Sequence, residues 1–360
     1  MPAAPAGRPH LAAGGCAAAW WPGLRTIGEV GPAGRRHRRR GDAGWVSGVA
    51  LLVAVVALVV VTVALVGSHR SGVTAPPAER SLALRRPAVP GGVAVDPSRF
   101  SAGSCMEYPP TRGERHEVVF LDAGHGGVDP GAVGRTTAGR TVYEADLSLP
   151  VELDTMALLR ADGFTVVVSR TRASTVMKLR PHDLVDKTLT LEAAHEEVAL
   201  RDICANEAKA NALVGIYFDA STSPFAAGSL TLYDPGRPFS ADNLALANSV
   251  QTATLAAMNA HGWGIPDDGV LTDLGMGSNN GDPSSGGLAA ESLAYGRVML
   301  IGPAMKGYFS TPSRMPGALI EPLFVTDPFE ASIAASTLGQ HVLAEGIAAG
   351  IERYFAGAPR

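Results

Sequence analysis

The sequence predicts a layered α/β domain: three layers, with a mostly parallel, twisted sheet and helices on both faces. Three observations lead there. Short apolar runs recur after about residue 116, namely VVFLDAG, TVVVSRT, ALVGIYFDA, SLTLYD and GALIEPLF, and each ends in polar residues or glycine, as buried strands do. Between them, Glu144 to Ala161, Glu192 to Asn211, Asn243 to Ala260 and Ser332 to Phe355 carry helical patterns, so strands alternate with helices. A composition of 46% hydrophobic and 18% charged residues supplies a core and excludes a wholly disordered chain.

Taken in order, residues 1–45 form a basic segment without periodicity, its first forty residues holding seven arginines and almost no acid. Residues 46–67, VSGVALLVAVVALVVVTVALVG, are 22 uncharged residues. That length matches the roughly 20 residues needed to cross the hydrocarbon layer as a helix, so a single transmembrane span is expected. A buried core helix or a cleaved signal peptide is the alternative. The uniform Val-rich surface argues against the first, and the length and internal position against the second. Residues 68–115 are rich in Pro, Gly, Ser and Arg and read as a spacer. Residues 116–356 make the folded domain, in which about 264–313, with NNGDPSSGG, is an irregular insertion expected to form a lid or wall of a cleft. The folded part is acidic within a formal net charge of -4, so nucleic acid is not an expected partner.

Three cysteines make neither a disulfide framework nor a CxxC pair, so a metal would have to be held by histidine and carboxylates. In an α/β sheet the ligand crevice lies at the carboxyl ends of the strands. Four sets of polar residues stand at such ends: Asp122 to His125, Glu144 at the start of the first helix, Tyr217 with Asp219, and Glu321. A histidine and a glutamate brought together bind zinc, and a second carboxylate takes a proton from metal-bound water, which is the inventory of a hydrolase.

DAGHGGVDPGA, YEADLSL, VVVSRT, RDICANEAKANALVGIYFDAS and MPGALIEPLFVTDPFEA follow one another in an order that resembles the zinc-dependent N-acetylmuramoyl-L-alanine amidases of the third amidase class, over roughly Val118 to Phe355. The resemblance implies that His125 and Glu144 are zinc ligands and that Glu321 is the catalytic base. It also implies a third histidine ligand at a strand end, where this chain has Tyr217, with Asp219 on the same strand face two residues on. His182 and His195 are further candidates for that role. The implied substrate is peptidoglycan, cut between N-acetylmuramic acid and L-alanine, by a domain held on the extracytoplasmic side of the cell membrane. A metal-free module that binds wall fragments is the alternative.

Each residue also has a structural reading. The structural alternatives are a turn residue for His125, a charge at a helix N-terminus for Glu144 and the partner of a buried arginine such as Arg201 for Glu321, whereas for Tyr217 packing or hydrogen bonding is the leading reading. Arg201 and Asn206 are expected to brace the fold. Cys105 and Cys204 either pair or stay as two thiols.

Overall fold

The computed structural model describes residues 90–223, 225–274 and 294–357. The apolar run at 46–67, the segment before it and the tip of the insertion lie outside the described residues.

Eight strands form one mixed sheet: β1 (Val93–Ala94), β2 (Ser104–Tyr108), β3 (Val118–Ala123), β6 (Thr165–Arg170), β9 (Ala212–Ile216), β10 (Ser229–Tyr233), β11 (Asp267–Thr272) and β12 (Gly317–Glu321). Their spatial order is β1-β2-β6-β3-β9-β12-β10-β11. Two small hairpins, β4 (Val133–Arg135) with β5 (Thr141–Tyr143) and β7 (Leu184–Val185) with β8 (Thr188–Leu189), stand apart from it. The centre β6-β3-β9-β12 is parallel, as the unbroken apolar runs predict, and antiparallel pairs flank it.

Alternation along the strands feeds two cores. On one face Val119, Leu121, Val166, Val168, Val214 and Ile320 meet α1 (Glu144–Ala161), α3 (Ser240–Ala260) and α5 (Thr337–Gly357). On the other, Phe120, Val167, Leu213 and Leu319 meet α2 (Leu191–Glu207) together with Leu300, Ile301 and Met315. The expected three layers are therefore present, since period-2 side chains on a central strand need cover on both sides.

The differences from expectation are local. Helix α2 ends at Glu207 rather than near Asn211, because Lys209 takes a left-handed φ of 53° and Asn211 turns away to accept from the Val118 amide. The last helical stretch is two helices, α4 (Pro328–Ala334) and α5, separated where the Ser336 hydroxyl accepts from the Gly339 amide. β1 and β2 arise inside the stretch read as spacer, and β11 inside the insertion, where it extends the sheet parallel to β10. Cys105 on β2 and Cys204 on α2 form a disulfide across the second core.

Candidate active site

Because β3, β9 and β12 run parallel, their carboxyl ends open on one edge of the sheet and bring Asp122, Tyr217 and Glu321 together. After Ala123 the chain leaves β3 in a tight loop. His125 is left-handed, with φ of 59°, and Gly126 and Asp129 exchange backbone hydrogen bonds. That loop turns the imidazole toward α1. Nδ1 lies 2.8 Å from the Asp129 carboxylate, and Nε2 lies 3.2 Å from Glu144 Oε2.

Glu144 opens α1 and is only 3% exposed. Its two oxygens accept from the Phe218 amide at 3.0 Å and the Ala132 amide at 2.9 Å, so backbone donors, together with the His125 imidazole, compensate its burial. Gly131 covers the pair: a Cβ there would lie 2.6 Å from His125 Cδ2 and 2.7 Å from Glu144 Oε2. Burial alone would push the imidazole pKa down, but the Glu144 and Asp129 carboxylates outweigh it and hold it up to about 10.

Tyr217 stands beside His125, its ring edge-on with centroids 5.6 Å apart. Its hydroxyl is turned away and donates to Asp122 at 3.0 Å. Asp122 is fully buried and is paired with Arg201, whose guanidinium also donates to the carbonyls of Ala123 and His125 at 2.8 Å and to Glu197 at 3.0 Å. Burial, followed by the Asp122 charge, pushes the Tyr217 phenol well above its ordinary range. A phenol held this way is a poor metal ligand, because it must first lose a proton.

Asp219 and Glu321 hydrogen-bond to one another, and both feel the Glu144 charge. Burial pushes Asp219 up to about 6 and, with Asp219 beside it, pushes Glu321 well above the carboxylate range.

The candidates therefore separate. His125, Glu144, Asp219 and Glu321 share one electrostatic neighbourhood. His182 does not join them: it is 73% exposed and pairs with Asp183. His195 packs against Tyr308 and Phe309. Arg201 pairs with Asp122 rather than Glu321, and Asn206 donates to the Pro312 carbonyl, so both brace the fold as expected. Asp129 was not singled out from the sequence, although its place four residues after His125 in GHGGVD was a signal that it reaches back to the imidazole.

Among the described residues no group of three or more His, Cys, Asp or Glu side chains is placed to hold a metal ion. Two of the expected ligands nevertheless fit one. The 3.2 Å between His125 Nε2 and Glu144 Oε2 is close to the edge of a zinc tetrahedron, about 3.3 Å for bonds of about 2.0 Å. Asp129 on Nδ1 also supplies the carboxylate that commonly orients a ligating histidine.

The site thus lies at the carboxyl ends of the parallel strands and the adjoining start of α1, where α/β domains of this class bind their ligands. The family model described as N-acetylmuramoyl-L-alanine amidase matches residues 119–353, and the chain belongs to that family. The curated N-acetylmuramoyl-L-alanine amidase AmiC of Neisseria meningitidis is 25% identical over 247 residues, covering 68% of this chain and 54% of that protein. The chain thus spans about half the length of that relative. Similar solved structures include an N-acetylmuramoyl-L-alanine amidase from Clostridium difficile 630, with 26% identity, TM-score 0.46, and coverage of 68% of this chain and 98% of that one. Another is the CwlD amidase of Clostridioides difficile in complex with the GerS lipoprotein, with 20% identity, TM-score 0.49, and coverage of 68% and 100%.

Proposed function

We propose that this chain is a zinc-dependent peptidoglycan hydrolase that cleaves the amide between N-acetylmuramic acid and the L-alanine of the stem peptide. The observation that carries the reading is the close approach of His125 and Glu144 at the strand-end cleft, with Asp219 and Glu321 facing them. His125 and Glu144 would hold the ion, and the Asp219 carboxyl, rather than the Tyr217 hydroxyl, is the further oxygen donor nearest in chemistry. Held there, zinc would supply polarisation of the lactyl carbonyl, activation of a water and a charge favouring the ionised form of the neighbouring carboxyls. Glu321 then accepts the proton of the attacking water and returns it to the leaving alanine nitrogen. Asp129 fixes the tautomer of His125 through Nδ1, and Arg201 holds the backbone turn on which His125 sits.

The proposed setting is the outer face of the cell membrane, with residues 46–67 as a single-pass anchor, residues 1–45 as a basic cytoplasmic segment and the amidase domain toward the wall. Among the described residues no helix is long and apolar enough to cross a membrane, and 46–67 lie outside them. The Cys105–Cys204 disulfide supports an oxidising compartment for the folded part.

The test is release of stem peptides from peptidoglycan fragments by the purified full-length chain, followed by mass spectrometry with and without a strong chelator. Chelator-sensitive release of peptides with a free N-terminal alanine is the expected result. The second reading, a module that binds wall fragments without cutting them, is favoured by Tyr217 at the third-ligand position. It prevails if fragments bind but no peptide is released even with zinc supplied.

A further inference from the structure

Arg170 ends β6 at the edge of the sheet where the site opens. β6 runs parallel to β3 with Val168 level with Leu121, so Arg170, two residues on, stands beside Ala123. Period-2 alternation sends its side chain to the face that Val166 and Val168 share with α1. There it is fully buried, and a buried guanidinium needs fixed acceptors for its donors.

Those acceptors join two segments of the site. Nη2 donates to the Ala145 carbonyl at 2.7 Å, to the Gly124 carbonyl at 3.1 Å and to the Ser148 hydroxyl at 3.1 Å. Nε donates to the Ala123 carbonyl at 3.3 Å. The Ser148 hydroxyl in turn donates to the Gly124 carbonyl at 2.9 Å. That carbonyl belongs to the peptide entering His125, and Ala145 and Ser148 lie in the first turns of α1, which Glu144 opens. Gly126 seats on the same side chain, since a Cβ there would lie 3.0 Å from Arg170 Cδ and Nε. The far end of the loop reaches α1 by backbone bonds, from the Glu144 amide to the Ala132 carbonyl and from the Ala145 amide to the Pro130 carbonyl. The near end, Ala123 to His125, reaches it through Arg170 and Ser148. Arg201 holds the same turn from the α2 face but donates nothing to α1, its acceptors being Asp122, Ala123, His125 and Glu197.

We infer that Arg170 is a positioning residue whose guanidinium sets the spacing of His125 and Glu144 at which a metal ion fits. The inference rests on the zinc reading above. Lysine keeps the charge but offers a point ammonium in place of a rigid fork, so it cannot span both backbones. Arg170→Lys should therefore weaken zinc binding by about tenfold, the lower end of the range for groups that orient metal ligands.

The test is a competition titration of the purified full-length chain, with zinc alone as the probe and a chromophoric chelator as competitor. Gly350→Ala, at the α3–α5 contact where an added Cβ would meet Val250, supplies a destabilised variant that leaves the clamp intact and should keep wild-type zinc affinity. An unchanged affinity in folded Arg170→Lys, or an equal loss in Gly350→Ala, overturns the inference and leaves the zinc reading standing. If Arg170→Lys does not fold, Ser148→Ala decides: a smaller fall in affinity is expected, and wild-type affinity overturns the inference. If the wild type binds no zinc, the zinc reading fails, and proton NMR of the metal-free chain decides whether Arg170 sets the spacing. The His125 Nε2 proton shared with Glu144 should then give a downfield signal in the wild type and in Gly350→Ala that shifts or vanishes in Arg170→Lys. A signal unchanged in Arg170→Lys overturns the inference.

Discussion

At Tyr217 the family resemblance and the geometry part company, and two properties separate there. The hydroxyl belongs to the buried Asp122–Arg201 pair, whereas the ring shields His125 and lies on Gly124, where a Cβ would come within 2.6 Å of it. Tyr217→Phe should therefore cost about 1–3 kcal/mol of stability, the range for leaving a buried charged acceptor short of one donor. Zinc content by elemental analysis should stay at the wild-type level. A fall in zinc content with stability unchanged would instead make the phenol a ligand. Tyr217→His restores the histidine that the resemblance implies and is expected to raise zinc affinity in a competition titration. A second residue carries a pH signature. Glu152 is fully buried, one carboxylate oxygen accepts from the Ala123 and Ser169 amides, and burial pushes its pKa up to about 8, with the Arg170 charge opposing. The folded state keeps this proton where the unfolded chain has released it, so stability falls as pH rises from the ordinary carboxyl range toward about 8. Thermal midpoints of Glu152→Gln should fall less over that interval than those of the wild type. Parallel curves for the two proteins would remove Glu152 from the account.

Two elements owe their position to residues that sequence periodicity treats as neutral. Gly346 and Gly350 of α5 face α3, where added Cβ atoms would lie 2.5 Å from Thr254 Cα and 2.6 Å from Val250 Cα. The helices approach backbone to backbone, and overpacking such a contact costs about 1–3 kcal/mol. Gly350→Ala should lower the unfolding free energy from denaturant titration by that amount, even though alanine is the better helix former. An unchanged or higher free energy would mean that the helices separate without cost. On the other face, the disulfide ties edge strand β2 to α2 across a sequence separation of 99 residues. Replacing both cysteines by alanine should destabilise the chain by about 2–5 kcal/mol, as expected for opening a long loop. Because Cys204 lies three residues from Arg201 on α2, the same variant tests whether the helix bracing the His125 turn stays seated.

Over the whole molecule, the five apolar runs read from the sequence all became strands, and α1 begins and ends at the predicted residues, Glu144 and Ala161. Strength of pattern explains that success: VVFLDA and TVVVSR are apolar on both faces, as central parallel strands must be. β1 and β2 were illegible, because SCMEY is short, mixed and held by its neighbour β6 and by the disulfide rather than by its own pattern. The site was legible in part. His125, Glu144 and Glu321 stood out by residue type at strand and helix ends, and the parallel topology brings them to one edge of the sheet.

Local pattern and motif thus determined the fold class, the family and part of the set of residues at the site, since periodicity and residue order are properties of the chain alone. Pairing across the chain decided the rest. Whether Arg201 took Asp122 or Glu321, whether Tyr217 turned to a metal or to Asp122, and whether the two cysteines met all depended on distances between segments 79 to 99 residues apart in sequence. A buried charge takes whichever partner the packed sheet places within reach, and only the tertiary structure fixes that placement.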